Sequence, residues 1–143
     1  MYRFHDKELQ VLLVHPGGPF FKNKDAGSWS IPKGEFDSGE EPLKAAIREF
    51  TEELGTTPTG NFLPLSTIVQ KGGKTVFAWM FEGNLNPADF TCNTFSIEWP
   101  PRSGKRQDFP EIDKAEWFNV GDAKKKLLIS QIPLLEELED KVV

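Results

Sequence analysis

A chain of 143 residues with twelve Phe and four Trp can bury one hydrophobic core, and it predicts a single domain over 1–143. Its net charge of −5 argues against a general nucleic-acid coating protein, yet leaves room for a phosphate-bearing substrate reached through metal ions. Cys92 is the one cysteine and His5 and His15 the two histidines, which excludes an intramolecular disulfide and argues against a structural zinc set. With no signal peptide and no apolar run of membrane-spanning length, the expectation is a soluble protein of a reducing cytoplasm. No membrane partner and no stable nucleic-acid partner are expected.

The segment "LQVLLVH" (9–15) is apolar and β-branched, the pattern of a buried strand. "PGGPFFKNKDAG" (16–27) reads as a loop, and "SWSIPKGEF" (28–36) as an extended segment to Pro32 that turns at Gly34. Residues 42–54 predict the first helix, with Pro42 suited to its opening position and Gly55 to its cap. "FLPLSTIVQ" (62–70) and "KTVFAWMFEG" (74–83), joined by "KGG", predict a β-hairpin. "NTFSIEWP" (93–100) predicts a strand before a loop rich in Pro, Arg and Lys, and "KAEWFNV" (114–120) a short further strand. From Asp122 a second helix runs through "AKKKLL" and resumes in "PLLEELEDK" beyond Pro133. Strands and helices mix without regular βαβ alternation. The fold class is therefore α+β, with a mixed β-sheet between helices rather than a doubly wound sheet.

Helix geometry sets successive residues about 100° apart. Leu43, Ala46, Ile47, Phe50 and Leu54 then share an apolar face suited to packing on a sheet. Glu49, Glu52 and Glu53 gather on another face, with Arg48 four residues before Glu52 and able to hold its carboxylate. Ala45 is small and leaves room beside this face for an approaching loop. Two readings compete. One is a solvated charged face, the usual fate of a Glu-rich helix. The other is a hard divalent cation such as Mg²⁺, which takes oxygen ligands and bridges carboxylates to phosphates.

Spacing decides between them. Gly34, five residues, Glu40, seven residues, then Arg48-Glu49-Phe50-Thr51-Glu52-Glu53-Leu54-Gly55 resembles the signature of the Nudix hydrolases over 34–56. At roughly 5–7% per residue type, seven matches by accident in one register come to on the order of one in 10⁸ to 10⁹. Thr56 departs from the aliphatic residue usual there, which touches packing at the motif's edge and not the chemistry.

The resemblance implies an α/β/α sandwich in which the motif forms loop, helix and loop. It implies that Glu49, Glu52 and Glu53 bind Mg²⁺, with Mn²⁺ able to substitute, and that Arg48 orients them. Gly34 would let the backbone bend beside the metal, and Glu40 would support it from the helix start. "EIDKAEWFNVGDAKKKLL" (111–128) is similar to the late strand and helix of many members. "VLLVHPGGPF", "SIPKGE" and "EWPPRSGKRQDFPE" resemble a subgroup of small bacterial members. Members usually carry about a strand's length of chain before the equivalent of residues 2–4, so a shortened N-terminus and an unpaired sheet edge are expected here. The resemblance also admits a homodimer.

The implied activity is Mg²⁺-dependent hydrolysis of the pyrophosphate bond in a nucleoside diphosphate linked to a group X. Metal ions neutralise the phosphoryl oxygens that repel an attacking water and lower the pKa of water itself. The general base varies within the family. Glu49 is the first candidate, Glu111 the second and Glu98 the third, the last two standing against ordinary surface carboxylates. Arg102, Lys105 and Arg106 could hold outer phosphates of the substrate, or merely balance an acidic chain.

Lys33 precedes Gly34 and so belongs near the metal helix. Its "PKG" turn resembles Nudix enzymes acting on dinucleoside polyphosphates and capped RNA, which tilts the nucleotide substrate toward dinucleoside polyphosphates. "HPGGPFF" could offer N–H groups to a phosphate, but it lacks the Gly-Lys-Ser/Thr ending of a phosphate-loop ATPase and reads first as a turn ending a strand. Phe20, Phe21, Trp79 and Trp99 are either stacking platforms for a base or core residues. Two alternatives stay open: hydrolysis of oxidised (d)NTPs, and a Nudix fold kept for nucleotide binding, against which the full carboxylate set stands.

Overall fold

The computed structural model describes residues 1–33, 39–70 and 72–142. Strands β1 (Tyr2–His5) and β2 (Glu8–Pro16) lead to helix α1 (Pro42–Leu54). Four two-residue strands follow: β3 (Leu63–Pro64), β4 (Ile68–Val69), β5 (Thr75–Val76) and β6 (Trp79–Met80). The chain closes with β7 (Thr94–Glu98), β8 (Arg106–Pro110), β9 (Ile112–Asn119), α2 (Val120–Lys126) and α3 (Ile132–Val142).

β2 is the centre of the molecule, paired antiparallel with β1 on one side and β9 on the other. Residues 11–15 are all buried. Successive side chains of a strand point to opposite faces, so an unbroken apolar run means that both faces are covered. Val11 and Leu13 pack with Trp29, Met80, Ala123, Leu127, Leu135 and Leu138 on the α2–α3 side. Leu12 and Val14 pack with Phe50, Leu54, Phe81, Ile112 and Ala115 on the α1 side. The expected sandwich of helices around a sheet is thus present. Isolated bridges make it mixed: Tyr2 with Glu82 and Trp29 with Leu127 run parallel, and Val14 with Ser30 antiparallel.

Several expectations change in detail. β1 is not an unpaired edge: the Tyr2 N–H donates to the Phe81 carbonyl at 3.0 Å and the Gly83 N–H to the Tyr2 carbonyl at 3.0 Å. The hairpin over 62–83 is broken into two short antiparallel pairs, Leu63–Pro64 with Trp79–Met80 and Ile68–Val69 with Thr75–Val76. The two registers differ by one residue, and Pro64 has no N–H to carry the ladder through. The loop rich in Pro, Arg and Lys is the tip of a second hairpin, for β8 pairs with β7 from Thr94–Pro110 to Glu98–Arg106. β8 is exposed except at Phe109, so no apolar alternation betrays it.

Helix α2 starts at Val120 rather than Asp122, because the Asn119 side chain accepts the Asp122 N–H at 2.8 Å and caps it. Helix α1 runs over the residues expected. Gly55 ends it in the left-handed conformation, φ 74°, where its N–H donates to the Thr51 carbonyl at 2.7 Å. Ala45 is buried. Among the described residues, no helix is long and apolar enough to cross a membrane.

Candidate active site

The site begins with one arginine. Arg48 donates from Nε and Nη2 to the two oxygens of Glu40, each at 2.9 Å, the planar fork that guanidinium and carboxylate form together. Its Nη1 meets Glu49 Oε1 at 3.1 Å and both Glu52 oxygens at 3.2 Å. Three carboxylates from two parts of the motif therefore share one cation. The Glu40 carboxylate, first among these contacts, holds the Arg48 guanidinium more firmly charged than an ordinary arginine. Glu40 serves as a brace at the helix start.

Glu53 behaves differently. Its side chain is buried, at 9% exposure, and its Oε2 accepts the Lys33 backbone N–H at 3.0 Å. Burial pushes its carboxyl up to about 8, and the Glu49 and Glu111 charges push the same way against the Lys33 N–H and ammonium. The Glu49 carboxyl is also raised, first by burial and then by Glu52 and Glu111, with Arg48 opposing. Glu111 acts on both, so the end of β8 stands against the acidic face of α1. Its backbone is clamped there: the Glu111 N–H donates to the Asn93 carbonyl and the Gly17 N–H to the Glu111 carbonyl, both at 2.9 Å.

Among the described residues, no three acidic, His or Cys side chains converge as a finished metal set, because Glu52 turns to Arg48 and Glu53 to the Lys33 N–H. The donor chemistry nevertheless fits a hard divalent cation. Glu49, Glu52 and Glu53 are oxygen donors at i, i+3 and i+4, where Cβ atoms lie about 5–6 Å apart. Two of them carry the raised proton affinity that a nearby cation relieves. Gly34 lies outside the described residues.

Of the other candidates, Lys33 is brought to the site through Glu53. Arg102, Lys105 and Arg106 are not beside the carboxylates. They sit at the far end of the β7–β8 hairpin, with Arg106 donating to Ser96 Oγ at 3.2 Å and the Ser96 carbonyl at 2.9 Å. Glu98 faces Arg106 at that same end, which separates it from Glu111. The glycines after His15 make room for the hairpin's base: a Cβ on Gly17 would lie 2.0 Å from the Pro110 carbonyl oxygen, and one on Gly18 2.7 Å from the Phe95 ring. The Gly17 N–H is engaged by Glu111, so this turn serves packing. Trp79 lines a 470 Å³ apolar cavity under α1, while Phe20 and Trp99 meet edge to face at 5.5 Å between centroids.

The NUDIX domain family pattern matches residues 1–138. The chain belongs to the NUDIX domain family. It is 28% identical to an RNA pyrophosphohydrolase of Wolbachia pipientis subsp. Culex pipiens, over 93% of this chain and 83% of that protein. It is 30% identical to an 8-oxo-(d)GTP phosphatase of Mycolicibacterium smegmatis, over 86% of this chain and 31% of that longer protein. Its fold is similar to that of a C. elegans Ap4A hydrolase in a binary complex, with a TM-score of 0.67, 24% identity, and 99% and 91% of the two chains covered.

Within this Nudix domain, sequence reasoning missed two features that shape the site. One is β8, which delivers Glu111. The other is His15, whose buried ring meets Asp113 Oδ1 at 2.7 Å and the Lys24 carbonyl at 2.6 Å, tying the 16–24 loop to β9. A lone histidine at a strand's end carries no signal for such a partner 98 residues away.

Proposed function

We propose that the protein hydrolyses a pyrophosphate bond within a nucleotide, with a divalent cation held by Glu49, Glu52 and Glu53. One observation carries the proposal: Arg48 gathers Glu40, Glu49 and Glu52, while Glu111 stands near Glu49 and the buried Glu53, the two carboxyl groups whose raised proton affinity an entering cation would relieve. Bound Mg²⁺, or Mn²⁺ in its place, supplies the neutralisation of phosphoryl oxygens that lets water approach phosphorus. Glu49 is the general base. Its raised carboxyl moves toward the range where a base takes a proton at working pH. Glu111 faces it across the site and is the second candidate. The Gly34 carbonyl completes the metal set on the strength of the motif alone.

Lys33, held against Glu53, has its ammonium near the phosphates and supports a substrate richer in phosphate, dinucleoside polyphosphates first. The Mycolicibacterium relative supports a second reading, a damaged-base nucleoside triphosphate. Phosphate release over diadenosine polyphosphates, nucleotide sugars, and ordinary and oxidised triphosphates tests both, with EDTA and Glu52→Gln alongside. Metal-dependent turnover of one class is expected, falling by about 10²–10⁴ in the variant. Silence from the folded wild-type protein across the panel would overturn hydrolysis and leave a nucleotide-binding module.

A further inference from the structure

Strand β9 breaks its own alternation near its start. Ala115 and Trp117 lie on the α1 side of the sheet with Leu12 and Val14, as alternate residues should, and so does Ile112, three residues before Ala115. An odd spacing on one face requires an extra residue between. The register supplies it: His15 pairs with Lys114 and Pro16 with Ile112, which leaves Asp113 without a partner on β2. Asp113 is the bulged residue, and a bulge re-aims what the strand carries beyond it. Glu111 lies two residues away.

A buried side chain holds the bulge. Asp113 Oδ1 meets His15 Nδ1 at 2.7 Å, and the Lys24 carbonyl meets Nε2 at 2.6 Å. A carboxylate and a carbonyl both accept, so the ring serves the two together only with a proton on each nitrogen. That makes it a cation, 1% exposed and edge to face with Trp29 at 5.2 Å between centroids. A buried cation is costly without its counter-ion, whereas an apolar ring would fill the same space against Trp29. What the ion pair adds is register.

We propose that His15 and Asp113 are positioning residues for Glu111: their ion pair pins the β9 bulge, and the bulge fixes where Glu111 stands beside Glu49 and Glu53. The pinned strand delivers Glu111 into a backbone clamp, its N–H on the Asn93 carbonyl and its carbonyl on the Gly17 N–H, both at 2.9 Å. The second His15 bond closes the loop that carries Gly17 by holding its far end at Lys24. Without the pair the strand can slip by one residue, which turns each side chain from Asp113 back to Glu111 toward the other face. That Glu111 takes part in hydrolysis rests on the function proposed above; its placement does not.

Two readouts on the full chain test this. The first is native-state hydrogen exchange at the Gly17 N–H, whose acceptor is the Glu111 carbonyl. Asp113→Ala, and His15→Phe, which keeps a ring against Trp29, are each expected to speed it at least about tenfold. Exchange at the Gly83 N–H, on the Tyr2 carbonyl, should not change. The second is Mg²⁺-dependent turnover of diadenosine tetraphosphate, or of whichever compound of the panel above is cleaved best, in a double-mutant cycle with Glu111→Gln. Asp113→Ala alone should lower kcat about 10–100-fold with KM little altered. In the Glu111→Gln background it should cost nothing further, because the pair acts only through that residue. Unchanged exchange at Gly17 would overturn the proposal, and so would a kcat loss of the same size in both backgrounds, the mark of a merely structural pair. Faster Gly17 exchange in a protein that cleaves no compound of the panel would sink the reaction and retain the positioning.

Discussion

Between residues 40 and 53 lie five carboxylates, three of them on Arg48, whereas between 99 and 107 three cations stand in a stretch without a single carboxylate. The acidic cluster is braced from within: one guanidinium fixes three of its members and a backbone N–H takes a fourth. The basic hairpin tip is braced by backbone hydrogen bonds, by Ser103 on the Lys105 N–H, by Gln107 on the Trp99 carbonyl and by Arg106 on Ser96, none of which offsets its charge. Concentrated charge of either sign is costly, and the two regions answer the cost in different ways. The acidic one ties up part of its charge and buries the rest, so that a cation gains by entering. The basic one stays in water, where repulsion is screened and a polyanion can displace counterions.

The largest expected effect sharpens that contrast at Glu53. Its carboxyl is raised from an ordinary 4.5 to about 8, chiefly by burial. For a raised acid the contribution to stability is full below the unfolded value and is lost as pH rises through the folded one. The metal-free protein should therefore lose stability between about pH 4.5 and about pH 8, by a few kcal/mol at ~1.4 kcal/mol per pKa unit. Glu49, raised in the same direction, steepens the slope. Denaturant unfolding in EDTA at about pH 5 and about pH 8.5 measures it. Glu53→Gln should flatten the profile, and Mg²⁺ should restore wild-type stability at the higher pH. A flat wild-type profile would mean that Glu53 is already neutralised without metal.

Gly17 is where the two regions are joined, and Gly17→Ala should part them. The new Cβ would sit 2.0 Å from the Pro110 carbonyl oxygen, a backbone atom that cannot rotate away. The end of β8 must shift, and the 2.9 Å bond from the Gly17 N–H to Glu111 shifts with it. Overpacking of this kind costs about 1–3 kcal/mol. Turnover should fall further than stability explains, since Glu111 leaves its place opposite Glu49. Gly121→Ala, whose Cβ meets Asn119 Oδ1 at an ordinary 3.5 Å, is the control and should change neither. A Gly17→Ala protein of lower melting temperature but normal turnover would remove Glu111 from the site.

These contrasts were unevenly legible in the sequence. Helix α1 was readable to the residue because its apolar stripe, its opening Pro42 and its closing Gly55 all agree. The helical repeat put Glu49, Glu52 and Glu53 on one face, but it could not tell that Glu53 turns inward while Glu52 stays on Arg48. That division comes from the Lys33 backbone, a tertiary contact 20 residues away. β8 was invisible because a two-stranded arm in water needs no buried side, and so writes no alternation. The basic residues stand out in the sequence as a cluster, but a loop read from composition has no direction. A hairpin gives it one.

The smallest effect concerns the brace itself. Arg48→Lys keeps the positive charge but replaces a planar fork by a single point of donation, which cannot serve Glu40 through two parallel bonds and still reach Glu49 and Glu52. At 35% side-chain exposure the lost pairs are screened by water, so the melting temperature should fall by only about 2–4 °C. The more telling readout is Mg²⁺ affinity, measured by calorimetry. If Arg48 fixes the carboxylates for a cation, the lysine variant should bind Mg²⁺ more weakly, because Glu49 and Glu52 must then be ordered at the moment of binding. If Arg48 instead competes with the cation for Glu52, the same variant should bind Mg²⁺ more tightly. The first result makes the acidic region a prearranged socket; the second makes it a latch that substrate or metal must open.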